Sequence, residues 1–492
     1  METILIKGLQ LIVALALLII LHEFGHTIAA KIFKVRVEKF CLFFDWKYTI
    51  FSTYSNWWRK LTGKKPAKKK ENGEYEYEGT EYSIGWIPLG GYAKIAGMVD
   101  ESSFKEDDST KGFIKELPSM LKNIIIKKED VKGKSWEFRT HPAWQRLIIM
   151  LGGIIMNFLT AFVIYAMVLF TWGESFVKSE DMNYGMKFSE QAKADGFRDG
   201  DIIIKTDDAQ VESWSIAVLQ DISNAKTVTV LRDGKEVVIT LEGERSLLDM
   251  IEAPVYAAMR SPLVIDSIIP GTPAEEMGLK KTDKICSVNG IEVIDFNDFQ
   301  NALINIQKNL PEKANFGDSL KARHITMVIN DSITRNVTLT SSFTLGFANA
   351  MPYADKVTTR HYGFFESFPA GVKYGINTLK SYVDQMKYVF TAKGARQVGG
   401  FISIGNIFPD VWDWHRFWLL TAFLSIALGF ANVLPIPALD GGHAIFALFE
   451  LFTGRRLSDN FLLVVQYFGM WILLGLMVLA QFNDIMRLLG FN

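Results

Sequence analysis

The chain has 492 residues, too many for one ordinary core, and 49% of them are hydrophobic. Its net charge of -1 gives no global pull toward nucleic acid, and its two cysteines, Cys41 and Cys286, build neither a disulfide framework nor a C-x-x-C metal site. The apolar residues are segregated into long runs between polar blocks, the pattern of a membrane protein with water-exposed domains.

The first apolar stretch runs from about Ile4 to Phe33 and is long enough to span about 30 Å of hydrocarbon. It contains His22-Glu23-Phe24-Gly25-His26. On a helix, two histidines four residues apart share one face, so both imidazoles reach one metal while Glu23 stands beside them as a candidate base. Ionisable groups inside a span are expensive and mark function by default, and here three fall within five residues. A soluble core helix with a satisfied His pair is the competing reading. A segment that carries this motif is expected to be retained rather than removed as a signal peptide.

From Lys31 to Thr140 the chain is polar and lysine-rich. The run Lys64-Lys65-Pro66-Ala67-Lys68-Lys69-Lys70 reads as a solvated loop, and positive loops stay on the cytoplasmic side. That puts the HExxH end of the first span near the cytoplasm. Within this block, alternation on both sides of Pro88-Leu89-Gly90-Gly91 predicts a β-hairpin over about 75–97. A glycine-rich apolar hairpin enters a membrane only where protein shields it or it lines a cavity, and its edge suits an extended chain added as a strand. An ordinary surface hairpin is the alternative. The second span, about Pro142 to Trp172, carries Gly152 and Gly153, which permit close helix contact, and Asn157, which needs a polar partner. That partner lies either beside the metal or on a neighbouring helix, and the helix–helix bond is preferred.

The region from Trp172 to about Val411 has no span and contains an internal repeat. Gly196-Phe197-Arg198-Asp199-Gly200-Asp201 matches Gly278-Leu279-Lys280-Lys281-Thr282-Asp283, and Val211 matches Val293 at the same offset. The second copy adds Pro270-Gly271-Thr272-Pro273-Ala274 and Val288-Asn289-Gly290-Ile291-Glu292-Val293, a pattern that resembles PDZ domains. The resemblance implies two small β-rich domains whose grooves take extended peptides by strand addition. In the first copy Asp207-Asp208 replaces Asn289-Gly290, which leaves its turn and groove open. Gly371 to Tyr388, with Val372, Ile376, Leu379, Val383 and Met386 at helical spacing, predicts an amphipathic helix at a membrane surface or packed on the repeats.

The third span, about Phe417 to Val433, ends in Asn432-Val433-Leu434-Pro435-Ile436-Pro437-Ala438-Leu439-Asp440-Gly441-Gly442. Two prolines break the helix and leave irregular backbone holding an acid at membrane depth, as at a cavity. Asp440 is then the third, oxygen ligand, in preference to a cap of the next helix. A fourth span covers about Phe461 to Phe482. Four spans put both termini and the repeats on the non-cytoplasmic face and keep Cys41 and Cys286 on opposite sides.

With the HExxH, the Pro88-Leu89-Gly90-Gly91-Tyr92 hairpin, the tandem PDZ-like repeats and the Asn432-to-Gly442 element in place, the chain resembles the site-2 protease family of intramembrane zinc metalloproteases, in its bacterial, sigma-E-regulating, tandem-PDZ type. The resemblance covers nearly the whole chain. It implies a polytopic α-helical membrane protein with about four transmembrane helices, a membrane-associated β-hairpin and two extracytoplasmic PDZ-like β-rich domains. It also implies Zn2+ held by His22, His26 and Asp440, Glu23 as catalytic base, and Asn432 as a substrate-holding group. The hairpin from Ser83 to Ala93, with Gly90, Gly91 and Tyr92, is the candidate for gripping an unwound substrate. Expected domains are 1–34, 35–141, 142–172, 173–255, 256–345, 346–410, 411–458 and 459–492. Expected partners are single-span membrane proteins, extended peptides at the PDZ grooves and the lipid bilayer of the bacterial inner membrane, with no nucleic acid. Gly400-Phe401-Ile402-Ser403-Ile404 departs from the family in carrying Phe where Pro is usual. A PDZ-bearing scaffold with a non-catalytic zinc site and a metal transporter are the competing readings; the first expects a closed Cys/His set and the second more intramembrane ligands.

Overall fold

The four apolar runs form four helices long and apolar enough to cross a membrane, Thr3–Ile32, Ala143–Trp172, Trp414–Val433 and Asp459–Leu488. The computed structural model describes residues 2–62, 68–69, 75–76, 79–98, 124–126, 133–207, 209–243, 245–251, 254–311, 316–389 and 391–489. Most of the lysine run at 64–70, residues 77–78 of the expected hairpin, and Asp208 lie outside the described residues. Two compact units result: Met1–Gly173 with His361–Asn492, and Glu174–Arg360.

In the first unit the main elements are α1 (Glu2–Ile32), β1 (Val37–Ser52), β2 (Glu81–Ile95), α2 (Ala143–Trp172), α3 (Phe364–Val389), α4 (Phe401–Ile407), α5 (Trp414–Val433), α6 (Asp440–Thr453) and α7 (Asp459–Leu488). Glycines let α1 and α2 touch backbone to backbone: a Cβ on Gly25 would lie 2.2 Å from the Gly152 carbonyl oxygen. Ala161, Ile164 and Tyr165 of α2 pack on Ala422 and Ile426 of α5. A core of Ala29, Ala30, Val37, Ile95, Ile149 and Ala444 joins the end of α1 to the sheet, α2 and α6. The elements that carry the HExxH and Asp440 are therefore fixed against one another by packing.

The far end of α6 is pinned by charge. Arg146 of α2 donates to Glu450, both buried, and Arg456 stands close enough to Arg146 to feel its charge. Replacing Glu450 with Ala leaves the buried Arg146 guanidinium without its carboxylate and under the charge of Arg456, an expected loss of about 3–5 kcal/mol. The check is the denaturation midpoint of the purified protein in micelles. Adding Arg146→Met to that variant is expected to recover much of the loss, since an apolar replacement of both partners is tolerated.

The β-region is larger than the expected hairpin, because β1 and β2 each fold back on themselves. Val37 to Leu42 pairs with Ile95 back to Gly91, Phe40 to Leu42 also rises in step with Tyr82 to Ile84, and Ile84 and Ser83 pair again with Phe51 and Ser52. Segment 91–95 is an outer edge, and among the described residues no strand pairs with its far side.

The amphipathic segment forms α3, which lies along α2. A Cβ on Gly371 would fall 2.5 Å from the Ala166 nitrogen, one on Gly375 would fall 2.5 Å from Phe162, and the Tyr374 and Tyr165 rings are 4.7 Å apart. Small residues one turn apart admit the neighbouring helix on that face, while Lys373, Lys380 and Lys387 stay exposed. Phe401 opens α4, whose first N–H groups, at Ile402 and Ser403, donate to Asp484 of α7.

The second unit repeats one plan twice. Strands Lys235–Thr240, Thr227–Arg232, Ile202–Thr206 and Ala209–Gln210 lie in the same order as Ile333–Thr338, His324–Ile329, Ile285–Val288 and Ile291–Glu292. Each copy has one helix at the same point, Ile216–Asn224 and Phe296–Lys308, and a strand pair, Met186–Phe188 with Ala257–Met259 and Ile265–Ile268 with Phe347–Asn349. Asn289 and Gly290 both take positive φ, as a tight hairpin turn requires, and Asp207 takes φ 43° at the matching place. The copies differ beside the helix. In the first, a short helix, Leu247–Ile251, packs on Ile216–Asn224 with Leu247 and Met250 buried. In the second, a cavity of about 250 Å³ stays open, lined by Phe299, Leu303, Phe343 and Leu345.

Candidate metal centre and active site

Helical spacing puts His22 and His26 on one face of α1, with both rings buried. Their Nε2 atoms are 3.3 Å apart. Asp440 approaches from α6, with Oδ2 3.1 Å from His22 Nε2 and 3.2 Å from His26 Nε2. The Asp440 carboxylate owes its place to a strained turn. Ala438 has φ 82°, Leu439 is the residue that caps α6, and Asp440 stands in the first turn free to face the rings. Gly441 and Gly442 bring that turn onto the segment that leaves α5: a Cβ on Gly441 would lie 2.4 Å from Leu434 O and one on Gly442 2.6 Å from Ile436 O. Asp440 is therefore not the cap of its helix.

These three atoms fit zinc. For bonds of about 2.0–2.1 Å, tetrahedral ligand atoms stand about 3.3 Å apart, close to the 3.1–3.3 Å found here. Asp440 Oδ2 is buried yet receives no hydrogen bond, so the rings approach it without satisfying it. Among the described residues His22, His26 and Asp440 form the one group of His, Cys, Asp or Glu side chains arranged to hold a metal. Two imidazoles and one carboxylate leave a fourth position open, as catalytic rather than structural zinc sites do.

The centre opens into a cavity of about 680 Å³ lined by Glu23, Asn432, Gly91, Tyr92 and Gln466, among others. The Ala93 backbone N–H, on the outer strand edge, donates to the Glu23 carboxylate. Of the expected site residues, His22, Glu23, His26, Asp440, Asn432, Gly91 and Tyr92 share this cavity, whereas Ser83 and Gly90 lie outside its lining. The Ser83 hydroxyl sits beside the buried Cys41 thiol, and Gly90 packs against the Phe44 ring. Asn157 is wholly buried with its amide Nδ2 3.0 Å from His22 Nδ1, while its main-chain oxygen accepts from Ser425 of α5. The helix–helix bond thus runs through its backbone, and the side chain goes to the site.

Asp45 and Trp46 of β1, and Gln466 of α7, join the site without a sequence-based expectation. Gln466 carries the same signal as Asn157, an amide inside an apolar run. Asp45 and Trp46 gave none, because their place depends on β1 folding back. Burial opposes the Asp45 charge, but the Lys39 ammonium at 2.5 Å and the Tyr92 and Thr49 hydroxyls hold its carboxyl below the usual range. The Tyr92 phenol is pushed up, first by burial and then by Asp45. Both groups keep fixed protonation around neutral pH, so the cavity wall presents a stable Tyr–Asp–Lys chain.

The peptidase family M50 model matches residues 10–55 and 72–476. The chain belongs to peptidase family M50. Its relatives run the full length. A Xylella fastidiosa protein whose name includes the words zinc metalloprotease is 26% identical over 97% of this chain and 98% of its own. Metalloprotease MmpA of Caulobacter vibrioides is 24% identical over 98% and 96%, and the regulator of sigma E protease of Haemophilus influenzae is 24% identical over 97% and 98%. This M50 peptidase, of the site-2 protease family, is a zinc metalloprotease and an integral membrane protein.

Proposed function

We propose that this M50 peptidase hydrolyses peptide bonds within the transmembrane segments of single-span membrane proteins, with His22, His26 and Asp440 as zinc ligands and Glu23 as catalytic base. One observation carries the reading: Glu23 and the three ligand atoms line a cavity walled by span helices, and Glu23 is bonded to an outer strand edge. Zinc in this ligand set supplies Lewis-acid activation of water and of the scissile carbonyl. Glu23 takes the proton from the attacking water and returns it to the leaving nitrogen. An intact helix hides its carbonyls in its own hydrogen bonds, so a substrate must unwind first. The outer edge at 91–95 then receives it as an added strand, with Gly91 admitting close backbone approach and Tyr92 facing the cavity. Asn432, which lines the same cavity, bonds the substrate backbone.

The two repeats act as PDZ-like domains on the extracytoplasmic side of the bacterial inner membrane, with both chain termini. Support comes from Lys31 and Arg455-Arg456 at the opposite ends of the spans. The second repeat, whose cavity is open, receives extended peptide, while in the first a short helix packs on the matching helix. The name of the H. influenzae relative directs attention to anti-sigma factors as substrates, and remnant signal peptides share their single-span form.

Membranes of cells carrying the native chain, compared by proteomics with those carrying Glu23→Gln, test this. A small set of single-span stubs is expected to accumulate in the variant. Indistinguishable membranes, with zinc bound equally in both, would overturn the proposal in favour of a scaffold.

A further inference from the structure

The two histidines are held in different ways. His26 Nδ1 is 2.8 Å from the Ile149 carbonyl oxygen. A carbonyl only accepts, so Nδ1 carries the hydrogen, and in the neutral ring that a metal requires Nε2 turns a bare lone pair to the centre. His22 Nδ1 instead faces the Asn157 amide at 3.0 Å. With Nδ2 toward the ring, Asn157 donates, and the His22 hydrogen must sit on Nε2, in the space between His26 Nε2 and Asp440 Oδ2. A half-turn of the amide puts Oδ1 there instead. Asn157 then accepts from Nδ1–H, and three bare acceptors meet at 3.1–3.3 Å, an arrangement only a cation reconciles. Asn157 Oδ1 is buried and has no partner, so nothing locks the amide against this half-turn.

We propose that Asn157 is a positioning residue for His22: its amide fixes the ring's orientation and supplies the acceptor that frees Nε2 for zinc, while accommodating the other tautomer when the centre is empty. Its environment suits the task. Asn157 is wholly buried, its Cβ lies within the 3.3 Å reach of a Cβ built on Gly429, and its backbone is tied to Ser425. A fixed acceptor, as at His26, serves one tautomer only; an amide serves both. Ring-orienting partners of metal-bound histidines set affinity, and losing one weakens binding about 10–100-fold.

The inference rests on the ligand assignment of His22, His26 and Asp440, and the assay separates the two. Full-length protein in micelles is titrated with zinc against a chelator, and the cobalt-substituted form is examined by its visible absorption bands. Native protein binding stoichiometric zinc, and Asp440→Asn losing it, report on the ligand assignment alone. Asn157→Leu and the smaller Asn157→Ser are expected to bind zinc about 10–100-fold more weakly and to shift the cobalt bands. Asn157→Asp, which still accepts from Nδ1–H, is expected to keep near-native affinity and bands. Ser425→Ala, which breaks only the backbone tie, is expected to change neither. Native affinity and native cobalt bands in both Asn157→Ser and Asn157→Leu would overturn the inference, as would loss in Ser425→Ala equal to that in Asn157→Leu.

Discussion

Glu23→Gln is expected to keep stoichiometric zinc and to lose cleavage by about 10²–10⁴-fold, the usual worth of a positioned general base. The amide has the shape of the carboxylate and still accepts the Ala93 N–H, so cavity and strand edge keep their form. What disappears is an acceptor basic enough to take a proton from water. Asp440→Asn is the contrasting change. It removes the anionic ligand from an atom set 3.1–3.2 Å from two ring nitrogens and is expected to lose zinc and cleavage together. Zinc content and turnover of a purified single-span substrate, measured side by side, distinguish the two. Equal loss of zinc in both variants would mean that Glu23 holds the metal rather than moves a proton.

Gly153→Ala is expected to be as damaging as loss of a ligand, though the residue bears no chemistry. Its added Cβ would lie 2.3 Å from His26 Nε2 and 2.6 Å from His22 Cε1, contacts that packed atoms do not tolerate. The rings cannot swing away. His26 is held by Ile149 O and His22 by Asn157, and any retreat pulls Nε2 out of the ligand triangle. The expected result is folded protein with zinc affinity reduced by more than about 100-fold, beyond the effect of losing an orienting partner. Gly475→Ala, where an added Cβ meets nothing within 4 Å, is the matched control and is expected to behave as native. Native zinc affinity in Gly153→Ala would require the rings to sit elsewhere.

The site was legible where short motifs put ionisable groups into apolar runs. His22, Glu23 and His26 needed only helical spacing, and Asp440 stood out because two prolines and two glycines surround an acid at the end of a span. The repeat was legible because Gly278 and Asn289-Gly290 mark turns that side chains resist. Features set by rotation or distant pairing were not. Asn157 had two credible partners, and only the rotation of α2 against α1 decides for His22. Ser83 lies in the same hairpin as Tyr92, but the fold-back of β1 puts it between two strands, away from the edge. The lysines of α3 pointed to a surface, whereas Gly371 and Gly375 on its other face brought it against α2. Each difference arises from contacts far apart in the chain, which local periodicity does not encode.

Mapping the cut shows whether this cavity cleaves inside a membrane span. Purified native protein is incubated with a single-span stub that accumulates in Glu23→Gln cells, and both product ends are read by mass spectrometry. One or a few cuts within the apolar segment are expected, absent with Glu23→Gln and with chelator. Cuts confined to the polar flanks, or an intact stub beside zinc-loaded native protein, would contradict cleavage inside the span.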